Sequence, residues 1–393
     1  MDTPLAHYPD TDAVVEALRP SQPVYCLNPK AIRHAAERFV AAFPGDVLYA
    51  VKCNTHPMVL KSLNEGGIRH FDAASLAEIT EVTGFFPGAE IYFMHPVKSR
   101  DVIKTAHAGY GVEFFAVDCE DELVKVLGET EVENTVIMVR LATPDAGAVF
   151  NLSSKFGARP DEAIQIMRRA HKEGATVGVS FHVGSQCAAP NAFHSAVLLA
   201  GEVIEAAGVP VAYLDVGGGF PAQYEGDAIP PIEVFVDAIG AALNEITVPE
   251  GCRLLAEPGR ALVAEGMSLI TQVHLRKDDK LYLNDGIFGS LQETTIGTQY
   301  PVRLIRPGGA VAAEGRAFTA FGPTCDNHDV LSHTLVLPAD VREGDWVEFA
   351  NVGAYSLATR TQFNGFFNET FVTVDETRSA TAVGTVANIR AVS

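Results

Sequence analysis

Short apolar runs and segments of helical periodicity alternate along the first two thirds of the chain. Apolar runs of strand length occur at residues 47–51, 68–72, 90–93, 113–117, 135–140, 177–182, 212–216 and 253–257. Apolar residues at helical spacing fill the intervals at 57–64, 75–83, 99–107, 120–128, 160–173, 191–207 and 231–246. Ser75, with Glu78 three residues later, predicts a capping box at the start of one of these helices. The alternation predicts parallel strands that are buried on both faces.

The number of predicted strands favours one architecture. Eight parallel strands, each followed by a helix, can close into a (β/α)8 TIM barrel. An open, doubly wound sheet is the alternative that shares the same local pattern. A short strand at Val24–Leu27 and a helix from about Lys30 to Ala42, opened by Pro29, come before the first of the eight strands.

The pattern changes after Arg260, where few helical stretches remain. Strand-like runs separated by Gly, Pro, Asp and Asn turns occur at 261–264, 267–275, 280–284, 302–305, 316–321, 334–337, 346–350, 370–374 and 381–389. They predict a separate antiparallel β-sandwich or barrel domain. Because chain ends often lie close together, we assign residues 1–27 to this β domain with 263–393, and residues 28–262 to the barrel.

Composition and charge narrow the class of protein. A chain of 393 residues is too long for one ordinary core, which agrees with two domains. The net charge of −20 argues against a nucleic-acid partner and is compatible with a cationic substrate. The six cysteines are far apart and form no C-x-x-C pair, so we expect no zinc ribbon or other metal site and a reduced, cytoplasmic protein. No signal-peptide pattern or membrane-spanning apolar stretch is found, and we expect no membrane partner.

One lysine stands out because an apolar strand delivers it. The stretch D-V-L-Y-A-V-K-C-N-T at 46–55 places Lys52 at the carboxyl end of the first barrel strand. A lysine there can keep its ammonium group in water, which is the ordinary arrangement. The alternative is a partly deprotonated amine that attacks a carbonyl carbon.

The other strand ends favour the second interpretation, because chemistry in this barrel occurs at the carboxyl ends of the strands. Charged or otherwise functional residues follow the predicted strands in turn: Lys52, Asp72, His95, Asp118, Arg140, His182, the glycines Gly217, Gly218 and Gly219, and Glu257. Random loops would scatter such side chains over both rims of the barrel. Their concentration at one rim predicts an active site there.

The glycine run L-D-V-G-G-G-F-P follows the seventh strand, where this fold usually binds phosphate. Ser185 and Arg260 follow the sixth and eighth strands and could add a hydroxyl and a guanidinium group to the same phosphate. A tight turn without a ligand, and a structural histidine at His182, are the alternatives. A lysine, a phosphate cradle and the carboxylate of Glu257 together suit pyridoxal 5'-phosphate, with the carboxylate pairing with the pyridine nitrogen.

At this point the chain resembles a known family, the fold-type III, alanine racemase-like pyridoxal-phosphate enzymes, and within it the ornithine/lysine/diaminopimelate decarboxylase group. The resemblance spans residues 23 to about 366. Its motifs, in the order in which the family has them, are Y-A-V-K-C-N at 49–54, F-D-A-A-S-x-x-E at 71–78, S-F-H-V-G-S-Q at 180–186, D-V-G-G-G-F-P at 215–221, E-P-G-R at 257–260, G-P-T-C-D at 322–326, G-A-Y at 353–355 and F-N-G-F at 363–366.

The resemblance implies a role for each matching residue. Lys52 would form the Schiff base, His182 would stack on the cofactor ring, and Glu257 would pair with the pyridinium nitrogen. The phosphate would be held by Ser185, Gly217, Gly218, Gly219, Arg260 and Tyr355, with Gly259 also in the cofactor site. Asp72, Glu78 and Arg140 would support the lysine and the cofactor.

The resemblance also implies an obligate homodimer with active sites at the subunit interface. Cys325 would enter the site from the neighbouring subunit and protonate the substrate carbon. Asp326 would contact the substrate, and Phe363 would line its pocket. The glutamate at 257 favours decarboxylation over racemisation, because a racemase relative places an arginine at the pyridine nitrogen and so weakens the electron sink.

One position departs from the family pattern. Eukaryotic ornithine decarboxylases carry an acidic residue for the distal amine where this chain has Gly297. Glu293, four residues earlier, could supply that carboxylate, or it could be a solvated loop residue. Diaminopimelate decarboxylases usually carry Cys-Glu-Ser where this chain has Cys325-Asp326-Asn327, which argues against diaminopimelate.

The resemblance therefore implies decarboxylation of a basic L-amino acid, L-ornithine or L-lysine, to putrescine or cadaverine and CO2 in polyamine biosynthesis. A first alternative keeps the scaffold and changes the substrate to diaminopimelate, arginine or a carboxy-polyamine. A second alternative is an inactive regulatory homologue of the antizyme-inhibitor kind, against which the intact Lys52 and Cys325 argue.

Overall fold

The computed structural model of the protein describes residues 5–143 and 155–376. Seventeen β-strands lie in these two ranges. In chain order they are β1 (His7–Asp10), β2 (Val24–Leu27), β3 (Asp46–Ala50), β4 (His70–Ala73), β5 (Glu90–Phe93), β6 (Phe114–Val117), β7 (Val136–Leu141), β8 (Thr176–Phe181), β9 (Tyr213–Asp215), β10 (Arg253–Ala256), β11 (Met267–Lys277), β12 (Lys280–Leu283), β13 (Val302–Ile305), β14 (Gly315–Phe321), β15 (Leu335–Pro338), β16 (Trp346–Phe349) and β17 (Phe371–Glu376).

Ten α-helices are found in the same described ranges. They are α1 (Thr11–Leu18), α2 (Pro29–Ala42), α3 (Pro57–Glu65), α4 (Leu76–Phe85), α5 (Arg100–Tyr110), α6 (Glu120–Glu129), α7 (Pro160–Lys172), α8 (Pro190–Ala207), α9 (Ile232–Leu243) and the single turn α10 (Arg260–Val263). Each predicted barrel helix is present, with its ends shifted by at most three residues.

Strands β3 to β10 form a closed parallel barrel in chain order, with β10 pairing back to β3. This confirms the (β/α)8 prediction and rules out the open sheet. Apolar side chains pack together inside the barrel because alternate residues of each strand point inward. The cluster contains Leu48, Tyr92, Met94, Phe114, Ala116, Val136, Met138 and Leu255.

The predicted capping box at the start of α4 forms in a modified way. Ser75 Oγ accepts the Glu78 N–H at 3.3 Å, as a capping serine should. The Glu78 carboxylate turns back to the N–H of Ala74 at 2.7 Å, one residue before the cap. This contact ties the helix start to the end of β4, the strand that carries Asp72.

The remaining nine strands form a second sheet, with the main order β1-β17-β2-β11-β12-β14-β15. The predicted second β domain is present, but its sheet is mixed and not purely antiparallel. Strand β17 pairs in parallel with both β1 and β2, and β12 pairs in parallel with β14. The predicted strand at 261–264 is wrong, since Arg260–Val263 is a helical turn. The predicted strand at 381–389 lies outside the described residues.

Two N-terminal elements were not predicted. Strand β1 is polar and half-exposed, so its sequence carries no clear period-2 pattern. It is held by its pairing with β17 and by Tyr8, which packs against a buried apolar cluster. Helix α1 follows at once, with Asp10 Oδ1 accepting the Ala13 N–H at 2.9 Å as its cap.

The chain divides into two compact units. One contains the chain up to Ile32, Gln223–Asp227 and the segment from Val263 onwards, and the other contains Arg33–Ala222 and Ala228–Leu262. The predicted domain division at residues 28 and 262 stays a prediction. Among the helices that the structure describes, none is long and apolar enough to cross a membrane.

Candidate active site

Lys52 lies in a short 3-10 helix, Val51–Cys53, that directly continues strand β3. Its Nζ atom is 2.6 Å from Oδ2 of Asp72 on the neighbouring strand β4. The Lys52 side chain is 41% exposed, whereas that of Asp72 is 1% exposed. The lysine is thus both accessible to a ligand and held by a buried carboxylate, at the rim where the sequence predicted chemistry.

His182 follows strand β8 and is held by its own backbone surroundings. Its Nδ1 accepts the N–H of Gly184 at 3.0 Å, which places the proton of the neutral ring on Nε2. Burial, followed by the positive charges of Arg140 and Lys52, holds the pKa of His182 well below its usual value. A flat, neutral imidazole at this position is suited to stacking on an aromatic ring.

Two carboxyl groups meet at the ends of the adjacent strands β9 and β10. Asp215 is 0% exposed, and Glu257 is 8% exposed. Burial, reinforced by the charges of Asp215 and Asp72, raises the pKa of Glu257 well above its usual value, and Lys52 and Arg140 oppose that shift. Among the described residues, Glu257 Oε1 is buried and has no hydrogen-bond partner, so this carboxyl group lacks a donor inside the protein.

Asp215 was missed by the sequence interpretation, although it stands in the motif D-V-G-G-G-F-P. Burial raises its pKa, while the N–H of Gly217 donates to its Oδ1 at 2.8 Å and lowers it. Asp215 could have been found from the sequence by the pattern that indicated Asp72 and Glu257, which is a carboxylate at the end of a buried strand.

The three glycines after β9 are required by close backbone packing. A Cβ atom on Gly217, whose φ is +67°, would lie 1.9 Å from the carbonyl oxygen of Phe181. A Cβ on Gly218 would lie 2.7 Å from the Glu257 carbonyl oxygen and 2.9 Å from His182 Nε2. The run therefore brings the loops after β8, β9 and β10 together whether or not a ligand is present, and its part in phosphate binding stays a prediction.

Arg260 and Ser185, the two residues predicted to bind one phosphate, lie in contact, and their binding of phosphate stays a prediction. Arg260 is 4% exposed, and its Nη2 donates to Ser185 Oγ at 3.3 Å. A Cβ on Gly259 would lie 3.1 Å from Cys53 Cβ, so this glycine lets the Arg260 loop pack against the residue that follows Lys52.

A second lysine, Lys98, was not singled out from the sequence. It is 5% exposed and donates to the carbonyl oxygens of His95 at 3.0 Å and Ala116 at 2.6 Å. Its Nζ also lies 3.0 Å from Glu122 Oε1. Burial lowers the pKa of Lys98 to about 8, against the opposing effect of Glu122. Lys98 thus holds the turn after β5 in place, and His95, at the start of that turn, is positioned by it.

The other predicted site residues lie in the unit that contains the mixed sheet. Cys325 is exposed, and its N–H donates to Asn364 Oδ1 at 3.0 Å, which joins the G-P-T-C-D and F-N-G-F motifs. Asp326 accepts the His328 N–H at 2.8 Å, and this bond lowers the pKa of its carboxyl group. Phe363 is 41% exposed, and its ring centroid lies 5.1 Å from that of Phe288.

Glu293 and Tyr355 belong to the same unit. Glu293 is 5% exposed in a 3-10 helix, Gln292–Ile296, so the alternative of a solvated loop residue does not hold in this structure. Tyr355 has a φ of 63°, and its carbonyl oxygen accepts the N–H and the hydroxyl of Thr359 at 3.1 and 2.9 Å. The ligand contacts assigned to Glu293 and Tyr355 stay predictions.

The residues of the barrel rim fit pyridoxal phosphate. An accessible lysine suits its aldehyde, the carboxyl group of Glu257 with its unsatisfied oxygen suits its ring nitrogen, and the guanidinium of Arg260 beside the Ser185 hydroxyl suits its phosphate. When bound, the cofactor supplies an electron sink for the substrate carbon. The protein supplies the amine, the ring partners and the anion site.

Comparisons with known proteins agree with this chemistry. A family model described as pyridoxal-dependent decarboxylase, pyridoxal binding domain, matches residues 30–264. The chain is 34% identical to ornithine decarboxylase of Schizosaccharomyces pombe, over 83% of this chain and 77% of that protein. It is also 35% identical to antizyme inhibitor 2 of Xenopus laevis, over 84% of this chain and 76% of that protein.

Solved structures of decarboxylases are also similar to this chain. The lysine/ornithine decarboxylase of Vibrio vulnificus, complexed with cadaverine, matches with a TM-score of 0.80 and 32% identity over 93% of this chain and 97% of that one. The arginine decarboxylase of Paramecium bursaria Chlorella virus, bound to agmatine, matches with a TM-score of 0.82 and 29% identity over 92% and 98%.

Fold and site together define a pyridoxal-phosphate enzyme built on a (β/α)8 barrel. The chain belongs to the pyridoxal-dependent decarboxylase family, within its ornithine decarboxylase-like group. It is a decarboxylase with pyridoxal 5'-phosphate as its cofactor, and the predicted family, fold class, enzyme class and cofactor are confirmed.

Proposed function

We propose that this enzyme decarboxylates a basic L-amino acid, L-ornithine or L-lysine, and releases putrescine or cadaverine with CO2 as a step of polyamine biosynthesis. The observation that carries the proposal is the Lys52–Asp72 pair at 2.6 Å, together with a buried glutamate, Glu257, that has an unsatisfied oxygen. The similarity to ornithine decarboxylase and to a lysine/ornithine decarboxylase supports the choice of substrates. The net charge of −20 favours the approach of a cationic amino acid.

Each protein group has one task in this proposal. Lys52 would hold the cofactor aldehyde, His182 would stack on the cofactor ring, and Glu257 would keep the ring nitrogen protonated. The bound cofactor would supply an electron sink that stabilises the carbanion left on the substrate carbon when CO2 departs. Ser185 and Arg260 fix the phosphate, and we assign Gly218, Gly219 and Tyr355 to the same anion. Because the Gly217 N–H already donates to Asp215, Gly217 contributes its backbone conformation.

The proposal includes a homodimer that shares its active sites. Cys325 and Asp326 of one subunit would reach the barrel rim of the other, and the exposure of Cys325 supports such a role. The Cys325 thiol would return a proton to the substrate carbon after CO2 leaves. Asp326, Glu293 and Phe363 would surround the distal end of the substrate. A cytoplasmic location stays part of the proposal, and the six free cysteines are compatible with it.

Two alternatives have specific support. Arginine is a candidate substrate because of the similarity to a viral arginine decarboxylase. A regulatory, inactive homologue is a candidate because of the similarity to antizyme inhibitor 2, although Lys52 and Cys325 are both present here.

A single screen tests the proposal. CO2 release by the purified protein with pyridoxal phosphate is measured on L-ornithine, L-lysine, L-arginine and meso-diaminopimelate. The highest kcat/KM is expected on ornithine or lysine. A preference for arginine or diaminopimelate would move the enzyme to the first alternative, and no release from any of the four would favour the regulatory one.

A further inference from the structure

Asp329 is a buried carboxylate to which neither the sequence motifs nor the proposed function assigns a task. It follows Cys325 in the loop between strands β14 and β15 and is 2% exposed. The Gly322 N–H donates to the Asp329 carbonyl oxygen at 2.9 Å, and the Asp329 N–H donates to the Asp326 carbonyl oxygen at 3.1 Å. The segment that carries Cys325 is therefore a closed loop with Asp329 at its base.

The Asp329 carboxylate binds the inside of this loop. Its Oδ2 atom accepts the N–H of Thr324 at 3.0 Å and the Thr324 hydroxyl at 2.7 Å. Thr324 directly precedes Cys325, and the Cys325 N–H donates to Asn364 Oδ1 at 3.0 Å. The backbone at Cys325 is thus held from two directions, by Asp329 through Thr324 and by Asn364.

The other carboxylate oxygen binds a second loop. Asp329 Oδ1 accepts the N–H of Ile287 at 3.0 Å, in the turn that follows β12. A Cβ atom on Gly286 or on Gly322 would overlap with Asp329 Oδ1, so both loops approach the carboxylate through a glycine. The turn at Ile287 leads into the 3-10 helix that contains Glu293. The cysteine loop is therefore fastened to a second segment of the same unit by one buried side chain.

We propose that Asp329 is a positioning residue that holds the Cys325 thiol in place for protonation of the substrate carbon. The inference rests on the proposed role of Cys325 as the proton donor. Proton transfer requires the donor within hydrogen-bond reach of the acceptor, and a misplacement of about 1 Å is enough to lower the rate strongly. Hydrogen bonds to a carboxylate are strong enough to fix a loop in this way. Asp329 acts through Thr324 and takes no part in the proton transfer itself.

The test compares three substitutions. Asp329→Asn replaces one acceptor oxygen by an amide nitrogen, which cannot accept, so the N–H groups of Ile287 and Thr324 no longer both have an acceptor. Thr324→Val removes only the hydroxyl donor. Asp345→Asn is the matched control, because Asp345 is also a buried carboxylate of this unit, 3% exposed, and binds Arg306.

Amide hydrogen exchange measures the loop directly. In the holoenzyme, Asp329→Asn should speed exchange about tenfold in the peptides that contain Ile287 and Thr324, which corresponds to the loss of one buried hydrogen bond. Asp345→Asn should leave exchange in these peptides within about twofold of the wild type. Unchanged exchange in Asp329→Asn would mean that the carboxylate does not hold the loop, and the proposal would be wrong.

Turnover supplies the second measurement. Asp329→Asn should bind pyridoxal phosphate within about threefold of the wild type and lower kcat about tenfold. The share of turnovers that end in decarboxylative transamination should rise, because the proton then adds to the cofactor carbon, and water releases an aldehyde and pyridoxamine phosphate in place of the amine. Thr324→Val should change kcat and this share in the same direction, by about threefold.

The outcomes separate positioning from a merely structural role. Faster exchange with unchanged products in Asp329→Asn would overturn the proposal, and so would an equal rise of transamination in Asp345→Asn. If Asp329→Asn does not fold, Thr324→Val decides alone. Cys325→Ala distinguishes the two proposals. Clean amine formation by Cys325→Ala would overturn the proton-donor role, whereas clean amine formation by Asp329→Asn alone would overturn only the positioning role.

Discussion

The Nζ atom of Lys52 lies 2.6 Å from Oδ2 of Asp72, and the two residues stand on adjacent barrel strands, β3 and β4. The Lys52 side chain is 41% exposed, whereas that of Asp72 is 1% exposed. The buried Asp72 carboxylate depends on the charge of Lys52, because a buried carboxylate without a cation is costly.

This dependence predicts the stability of a lysine variant. Lys52→Met should lower the free energy of unfolding of the apoprotein by about 2 kcal/mol, because Asp72 loses its cation inside the barrel. Denaturant titration of the apoprotein measures the loss. Adding Asp72→Asn to Lys52→Met should restore most of it, since the amide carries no charge. A double variant no more stable than Lys52→Met would show that the ion pair is not the cause.

The same lysine should carry the cofactor. Incubation with pyridoxal phosphate is expected to give a yellow protein, and borohydride should fix the label to Lys52. Peptide mass spectrometry locates the modification, with Lys98 as the internal control because it is buried and bonded to two carbonyl groups. Labelling at another lysine, or a colourless protein, would contradict the assignment of Lys52.

We expect Cys325 to protonate the substrate carbon and to take no part in cofactor binding. Cys325→Ala is expected to bind pyridoxal phosphate normally but to lower kcat about 100-fold, the usual effect of removing a general acid. Decarboxylative transamination should rise at the same time, because the carbon is no longer protonated cleanly. Cys119→Ala is the matched control, since Cys119 is also exposed and lies at the start of α6. Unchanged products from Cys325→Ala would remove its role.

We expect the Glu293 carboxylate to bind the distal amine of the substrate. Glu293→Gln is expected to raise KM for L-ornithine and L-lysine about tenfold, by the loss of one charged contact, with little change for a neutral analogue such as L-norleucine. Because Glu293 is 5% exposed, thermal melting must first show that the variant folds. Asp326→Asn on the same substrates shows which carboxylate dominates. If Glu293→Gln affects charged and neutral substrates equally, Glu293 is structural.

The stability of the apoprotein should depend on pH through the carboxyl groups of Asp215 and Glu257. Their pKa values are raised in the folded protein, mainly by burial, so the folded state holds protons that the unfolded state releases. Their contribution is complete below the unfolded pKa values, about 4, and is lost as pH rises through the folded ones. Asp72, Lys52 and Arg140 face the pair and set the size of the effect. Asp215→Asn should flatten this fall in melting temperature, and an unchanged pH profile would contradict it.

Local sequence patterns predicted the barrel because each strand is a compact apolar run and each helix has its own period. The chemistry at the strand ends was predictable for the same reason, since a charged residue that ends a buried strand is visible in one dimension. Lys52, Asp72, His182 and Glu257 were found in this way. The directions of the strands in the second sheet were not predicted correctly, because the parallel pairing of β17 with β1 and β2 joins segments from opposite ends of the chain.

The sequence by itself therefore determined the alternation of elements, the rim on which the functional side chains gather, and the family to which they belong. Only the tertiary structure decided which of these side chains touch. The contact of Lys98 with the Ala116 carbonyl oxygen, the burial of Glu293 and the hydrogen bond between Arg260 and Ser185 all depend on residues that are far apart in the sequence. The raised pKa values of Asp215 and Glu257, in particular, depend on burial and on charges from several strands, and neither is encoded in the local pattern of any one strand.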